Sequence, residues 1–88
     1  MSLYCLVLYD ISDDGVRTKV ADVCLDYGLT RIQYSAFLGA LSRTHQTELY
    51  RVLERKLGKA KGEIRLIPLD ERSYGARRRL GKDKGALP

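Results

Sequence analysis

The 88-residue chain has one histidine, His45, two cysteines and two prolines. His45 falls in the first turn of a predicted exposed helix, with neither a cysteine nor a second histidine nearby, so its ligand count argues against a zinc site. Cys5 and Cys24 sit inside apolar patterns without metal-type spacing, which predicts buried thiols in a reducing cytoplasm. No serine or cysteine nucleophile has a histidine base beside it. There is no phosphate-binding glycine loop, no CxxC and no HExxH. No apolar run approaches the roughly 20 residues that span a bilayer. No basic leader or small-residue cleavage site precedes the first apolar run, so neither a membrane span nor a secretory leader is expected. What remains is the profile of one small cytoplasmic domain, 44% hydrophobic and 31% charged.

The most informative stretch is Leu3–Asp14. Seven uncharged residues, Leu3–Tyr9, run straight into Asp10. A short, continuous apolar run rich in aliphatic and aromatic residues predicts a strand covered on both faces. Alternation puts Leu3, Cys5, Val7 and Tyr9 on one face and Tyr4, Leu6, Leu8 and Asp10 on the other. Asp10 thus ends a central strand on an otherwise apolar face. A carboxylate there is at the rim, paired, or holding a cation, because burying a lone charge is costly.

The net charge of +5 favours a polyanionic partner. From Arg72 onward the chain carries six of its sixteen basic residues and one acid, Asp83, with Arg77-Arg78-Arg79 the densest cluster. Residues 1–80 read as one domain and 81–88 as a basic, flexible tail.

Ser12, Asp13 and Asp14 are each suited to cap a first helix whose apolar stripe is Val16, Val20, Val23, Cys24 and Tyr27, ending at Gly28. Arg17, about one turn on, reads either as a surface ion pair with Asp13 or Asp14 or as a phosphate contact near Asp10. Two short strands are predicted, about Thr30–Ser35 and about Phe37–Leu41. Gly39 suggests a bulge or tight hairpin near Phe37–Ala40. Ser42 or Thr44 caps a second helix with the stripe Leu49, Val52, Leu53 and Leu57, ending at Gly58. Glu63–Leu69 is the next strand, with Pro68 near its end marking either an edge or a strand terminus, and Ser73–Arg78 reads as a last short strand. The order strand, helix, strand, strand, helix, strand is the ferredoxin-like α+β arrangement βαββαβ. It has an antiparallel sheet and both helices on one face. The other face of strand 1 is also apolar, and a symmetric homodimer is its simplest cover.

The acids Asp10, Asp13 and Asp14 gather at one strand end. Oxygen ligands suit Mg²⁺, which takes one or two carboxylates and keeps several waters. One chain fixes only Asp10 well, and two chains about a twofold axis would offer two carboxylates to activate a water for phosphodiester hydrolysis. Alternatively, Asp10 merely ends the strand and accepts turn N–H groups.

Tyr9-Asp10-Ile11-Ser12-Asp13, then Arg17, then Arg31-Ile32-Gln33-Tyr34-Ser35-Ala36-Phe37-Leu38-Gly39 resembles the CRISPR-associated protein two family, and Arg65-Leu66-Ile67-Pro68-Leu69 resembles its later strand. The likeness spans roughly Leu3–Leu69 and rests on order and spacing together. Ala36 departs from a more usual valine, and Leu38 stands where glutamate is common. The segment after Asp70 fits the pattern weakly.

The resemblance implies a ferredoxin-like homodimer with strand-end aspartates facing each other near the twofold axis. It implies a Mg²⁺-dependent endonuclease acting on single-stranded RNA or double-stranded DNA, with Asp10 as catalytic metal ligand. Tyr9, Arg17, Arg31 and Phe37 match positions tied to nucleic-acid handling or activity. The basic cluster Arg77, Arg78 and Arg79 adds a nucleic-acid contact read from charge. The resemblance also implies that such dimers bridge a CRISPR-associated integrase and cradle DNA during spacer acquisition, so a non-catalytic DNA scaffold is the alternative. An RNA-binding ferredoxin-like module ranks last, because Tyr4 and Tyr9 lie on opposite strand faces and no RNP-like Gly-Phe pattern appears.

Overall fold

The computed structural model describes residues 3–81. Residues 82–88 of the expected tail lie outside the described residues. The chain runs β1 (Leu3–Ile11), α1 (Asp14–Asp26), β2 (Thr30–Gln33), β3 (Ala36–Ala40), α2 (Arg43–Leu57), β4 (Gly62–Asp70) and α3 (Glu71–Gly75). The strands form one sheet in the order β2-β3-β1-β4, with β1 antiparallel to both β3 and β4. Each βαβ unit is therefore split by a strand of the other, the ferredoxin-like topology.

Alternation along β1 decides the layers. Cys5, Val7, Tyr9 and Ile11 are buried under α1 and α2 with Val20, Cys24, Phe37, Leu49 and Leu53. Burial pushes the Cys5 thiol up to about 11 and the Cys24 thiol to about 12, so neither is a nucleophile at neutral pH. Across the sheet, Leu6 is flanked by Leu38 and Ile67, and Asp10 stands opposite Glu63. No described helix is long and apolar enough to cross a membrane.

The caps follow local chemistry. The Asp13 carboxylate accepts the Val16 N–H at 2.9 Å, and Ser42 Oγ accepts that of His45 at 3.2 Å. At the end of α1, Leu29 N–H donates to Cys24 O and Gly28 N–H to Leu25 O, the paired bonds of a Schellman turn, with Gly28 at φ +81°.

Two local expectations are corrected. The β2–β3 hairpin turns at Tyr34-Ser35, not near Phe37–Ala40. No described non-glycine residue has a positive φ, so the primed two-residue turns that match strand twist are not used. Instead the register slips by one residue between Arg31 and Gln33, a bulge that restores pairing. Gly39 lies inside β3 instead, where an added Cβ would come within 3.1 Å of the Leu29 side chain. Ser73–Arg78 is not a strand. Asp70 caps a short helix there, accepting the Ser73 N–H at 2.7 Å. The Tyr74 ring stacks on Tyr4, centroids 3.7 Å apart and 3° from parallel, and this tertiary contact holds α3 to the sheet.

The Ser73 backbone N–H holds the Asp70 carboxyl below its ordinary value. A carboxyl depressed in the folded state stabilises above its unfolded pKa, about 3.9, and that contribution disappears as pH falls through the lower folded value. The Ser73 amide shift should therefore titrate with a midpoint below that of an exposed aspartate, and the Tyr4–Tyr74 ring-current shifts should fade with it. A midpoint at or above the ordinary value would contradict the cap.

Gly62 pairs with Ile11 at φ +140°, and a Cβ there would press on the Asp10 carbonyl oxygen and lie 3.0 Å from Ile11 Cα. Gly62→Ala should lower unfolding stability by about 2 kcal/mol in urea titration, from strain and backbone displacement together. An unchanged midpoint would show that β4 shifts freely at this end.

Candidate nucleic-acid and metal interface at the end of β1

Asp10 is exposed near the C-terminal end of the central strand, on the face away from α1 and α2. The backbone on either side of it is held. Tyr9 N–H donates to Ser35 O at 3.1 Å, tying β1 to the hairpin turn. Arg17 Nη1 donates to Ile11 O at 2.8 Å and to Ser12 O at 3.3 Å, while Nη2 pairs with the Asp14 carboxylate. The ion-pair reading of Arg17 is thus realised with Asp14, and the same side chain braces the strand end beside Asp10.

Arg31 reaches the strand end from β2. Its Cζ lies 5.0 Å from the centroid of the Phe37 ring and 5.8 Å from that of Tyr34, within cation–π range. Its Nε is buried without a protein partner among the described residues. Arg17 Cζ stands 5.7 Å from the same Tyr34 ring. The Arg17 and Arg31 side chains thus meet at the Tyr34 turn, while Asp10 is on the opposite, helix-free face at the same end of the sheet.

It does not bring all the expected residues to the surface. Phe37 is fully buried and Tyr9 nearly so, with their ring centroids 6.3 Å apart. Neither offers a free ring to a base, and Phe37 instead supports Arg31 from below. The basic cluster divides. Arg77 folds back, with Nη1 donating to Tyr74 O at 2.7 Å and Cζ 3.7 Å from the Tyr74 ring centroid. Arg78 and Arg79 are exposed.

Among the described residues no group of three or more His, Cys, Asp or Glu side chains could hold a metal ion. Asp10 is a hard oxygen donor, and the cross-strand Glu63 on the same face is turned to Arg65, whose Nε donates to Glu63 Oε1 at 2.6 Å. Among the described residues one chain thus offers Asp10 as a hard oxygen donor without an ion-pair partner.

Sequence reasoning passed over Tyr34 and Glu63. Tyr34 was read as a strand residue because the turn was sought at Gly39. Glu63 becomes visible only once the β1–β4 register places it opposite Asp10.

The family model for CRISPR associated protein Cas2 matches residues 1–77. The chain belongs to the Cas2 family. It is 49% identical over 78 residues, 89% of this chain and 92% of the relative, to the CRISPR-associated endoribonuclease Cas2 2 of Chloroflexus aurantiacus. It is 38% identical over 80 residues to a CRISPR-associated endonuclease Cas1/endonuclease Cas2 fusion of Thermoproteus tenax. That match covers 91% of this chain and 30% of the fusion. Streptococcus pyogenes Cas2 shares the fold, with a TM-score of 0.74 at 24% identity over 89% of this chain and 99% of that one. The ferredoxin-like arrangement and the family expected from the sequence both hold. At this end of the sheet the Cas2 chain carries an exposed carboxylate, Asp10, on the helix-free face and two held guanidinium groups, Arg17 and Arg31, about the Tyr34 turn.

Proposed function

We propose that this Cas2 chain is a divalent-metal-dependent endonuclease that cleaves RNA phosphodiesters as a symmetric homodimer and takes part in CRISPR spacer acquisition with an integrase partner. The observation that carries the reading is Asp10: an exposed carboxylate with no ion-pair partner among the described residues, at a braced strand end, on the same face as the apolar row Leu38–Leu6–Ile67. Ile67 is 38% exposed, and a second copy would cover that row. A twofold axis that passes beside the end of β1 would bring the two Asp10 carboxylates together.

The two Asp10 carboxylates would together hold one Mg²⁺, which would offset the negative charge that develops on the phosphoryl group and lower the pKa of an attacking water. Arg17 and Arg31, oriented by Asp14, Ile11 O and Phe37 and gathered at the Tyr34 turn, would bind phosphates of a strand that passes round this end of the sheet. The relative from C. aurantiacus bears the name endoribonuclease, which favours RNA as substrate. The Cas1/Cas2 fusion of T. tenax supports Cas1 as the partner, in the place of the expected integrase subunit.

A second reading is a non-catalytic DNA scaffold in the integration complex. The incomplete single-chain donor set and Leu38, where the family pattern favours glutamate, support it.

The test is cleavage of a single-stranded oligoribonucleotide and a DNA duplex by the purified chain with Mg²⁺ and with EDTA, alongside sedimentation at micromolar concentration. Mg²⁺-dependent cleavage by a dimer is expected. A stable monomer would remove the shared site, and activity that persists in EDTA would mark a contaminating nuclease.

A further inference from the structure

Tyr34 sits at the tip of the β2–β3 turn with 68% of its surface exposed, although both neighbouring arginines are held in place. Arg17 is fixed by Ile11 O and Asp14, and Arg31 by the ring of buried Phe37. Both also lie against the Tyr34 ring, their Cζ atoms 5.7 and 5.8 Å from its centroid. The two described ion pairs are Arg17–Asp14 and Arg65–Glu63, so Arg31 has no carboxylate partner among the described residues. An exposed ring beside two oriented guanidinium groups is the layout of a single-strand site, in which an aromatic face takes a base and cations take the flanking phosphates.

We propose that Tyr34 is a stacking platform for an unpaired nucleobase, with Arg17 and Arg31 anchoring the phosphates on either side of it. In a duplex each base is already stacked between its neighbours, so the platform selects single strands. The turn that carries Tyr34 is tied to β1 through Ser35 O and Tyr9 N–H. A strand seated on the ring is therefore held at the strand end that carries Asp10. The fate of that strand rests on the nuclease reading; its binding does not.

The chain has no tryptophan, which makes Tyr34→Trp a reporter as well as a variant. In EDTA, a single-stranded oligoribonucleotide, a single-stranded oligodeoxyribonucleotide of the same sequence, and a duplex are titrated against wild type, Tyr34→Ala, Tyr34→Phe and Tyr34→Trp. Circular dichroism confirms the fold of each variant. Tyr34→Ala should weaken single-strand binding about tenfold, as loss of one stacked base does. Tyr34→Phe should stay within about twofold of wild type, because the face and not the hydroxyl binds. Duplex binding should be unchanged. The introduced indole should be quenched by single strands and not by the duplex. Loss confined to RNA would name RNA as the ligand, and equal loss on both strands would name single strands generally; either supports the platform.

Tyr34→Ala binding single strands as wild type does, losing single strands and duplex equally, or an indole that single strands leave unquenched would overturn it. Should Tyr34→Ala not fold, the indole quenching in Tyr34→Trp decides the matter alone. If wild type cleaves nothing while the indole is quenched, the nuclease reading fails and the platform stands. If Asp10-dependent cleavage is found while the Tyr34 variants bind single strands normally, the reverse holds.

Discussion

Asp10→Asn should leave the fold, the dimer and nucleic-acid binding intact and lower Mg²⁺-dependent cleavage by at least about a hundredfold. The side chains are nearly the same size, and Asp10 is exposed, so no packing is lost. No described hydrogen bond or ion pair uses its carboxylate, so none is broken. The loss falls on metal affinity, because an amide oxygen is a weaker ligand for a hard cation than a carboxylate. The binding proposed for Arg17, Arg31, Arg78 and Arg79 would be Coulombic and would not need the carboxylate. Parallel melting curves, sedimentation and cleavage rates check all three parts. Wild-type cleavage rates in Asp10→Asn would place the chemistry elsewhere. If the variant still supports spacer integration and the wild type cuts nothing, the scaffold reading stands.

Phe37→Ala should cost about 3–5 kcal/mol of unfolding stability, the usual loss for truncating a buried phenylalanine. That is a large part of the about 5–15 kcal/mol that holds a small domain folded. Phe37 is fully buried between Tyr9 and the Arg31 guanidinium, so its loss opens the core under the nucleic-acid site. Phe37→Leu keeps most of the volume. It should cost about 1 kcal/mol and bind single strands slightly more weakly, because Arg31 loses the ring that orients it. Urea titration and binding isotherms of both variants separate these effects. Binding lost in Phe37→Leu with stability unchanged would mean that the ring meets nucleic acid directly, and the buried placement would be contradicted.

The parts of the fold that periodicity controls were readable before any coordinates. Period-two alternation in Leu3–Asp10 sorted β1 into its two faces, with Tyr9 on one and Asp10 on the other, and left open which face the helices cover; the structure turns Tyr9 inward and leaves Asp10 exposed. The helix ends were readable because Asp13, Ser42, Gly28 and Gly58 have local roles that do not depend on the tertiary structure. The hairpin was misplaced because Tyr34-Ser35 carries no turn signature and Gly39 does. The glycine answers to the close approach of Leu29, a contact between distant elements. The short helix after Asp70 was read as a strand for a similar reason. Its stability comes from the Asp70 cap and from Tyr74 lying on Tyr4, seventy residues away in sequence. Asp10 stood out because it interrupts an apolar face. Tyr34 did not, because an exposed aromatic in an extended run is indistinguishable from a core residue until its face is known.

The proposed shared site is tested most directly by the stoichiometry of divalent binding, with calorimetric titration of Mn²⁺ into the purified protein. Two Asp10 carboxylates about a twofold axis predict one ion per two chains, lost in Asp10→Asn while the dimer persists. One ion per chain, or binding that Asp10→Asn leaves unchanged, would contradict a metal site shared between two copies of Asp10.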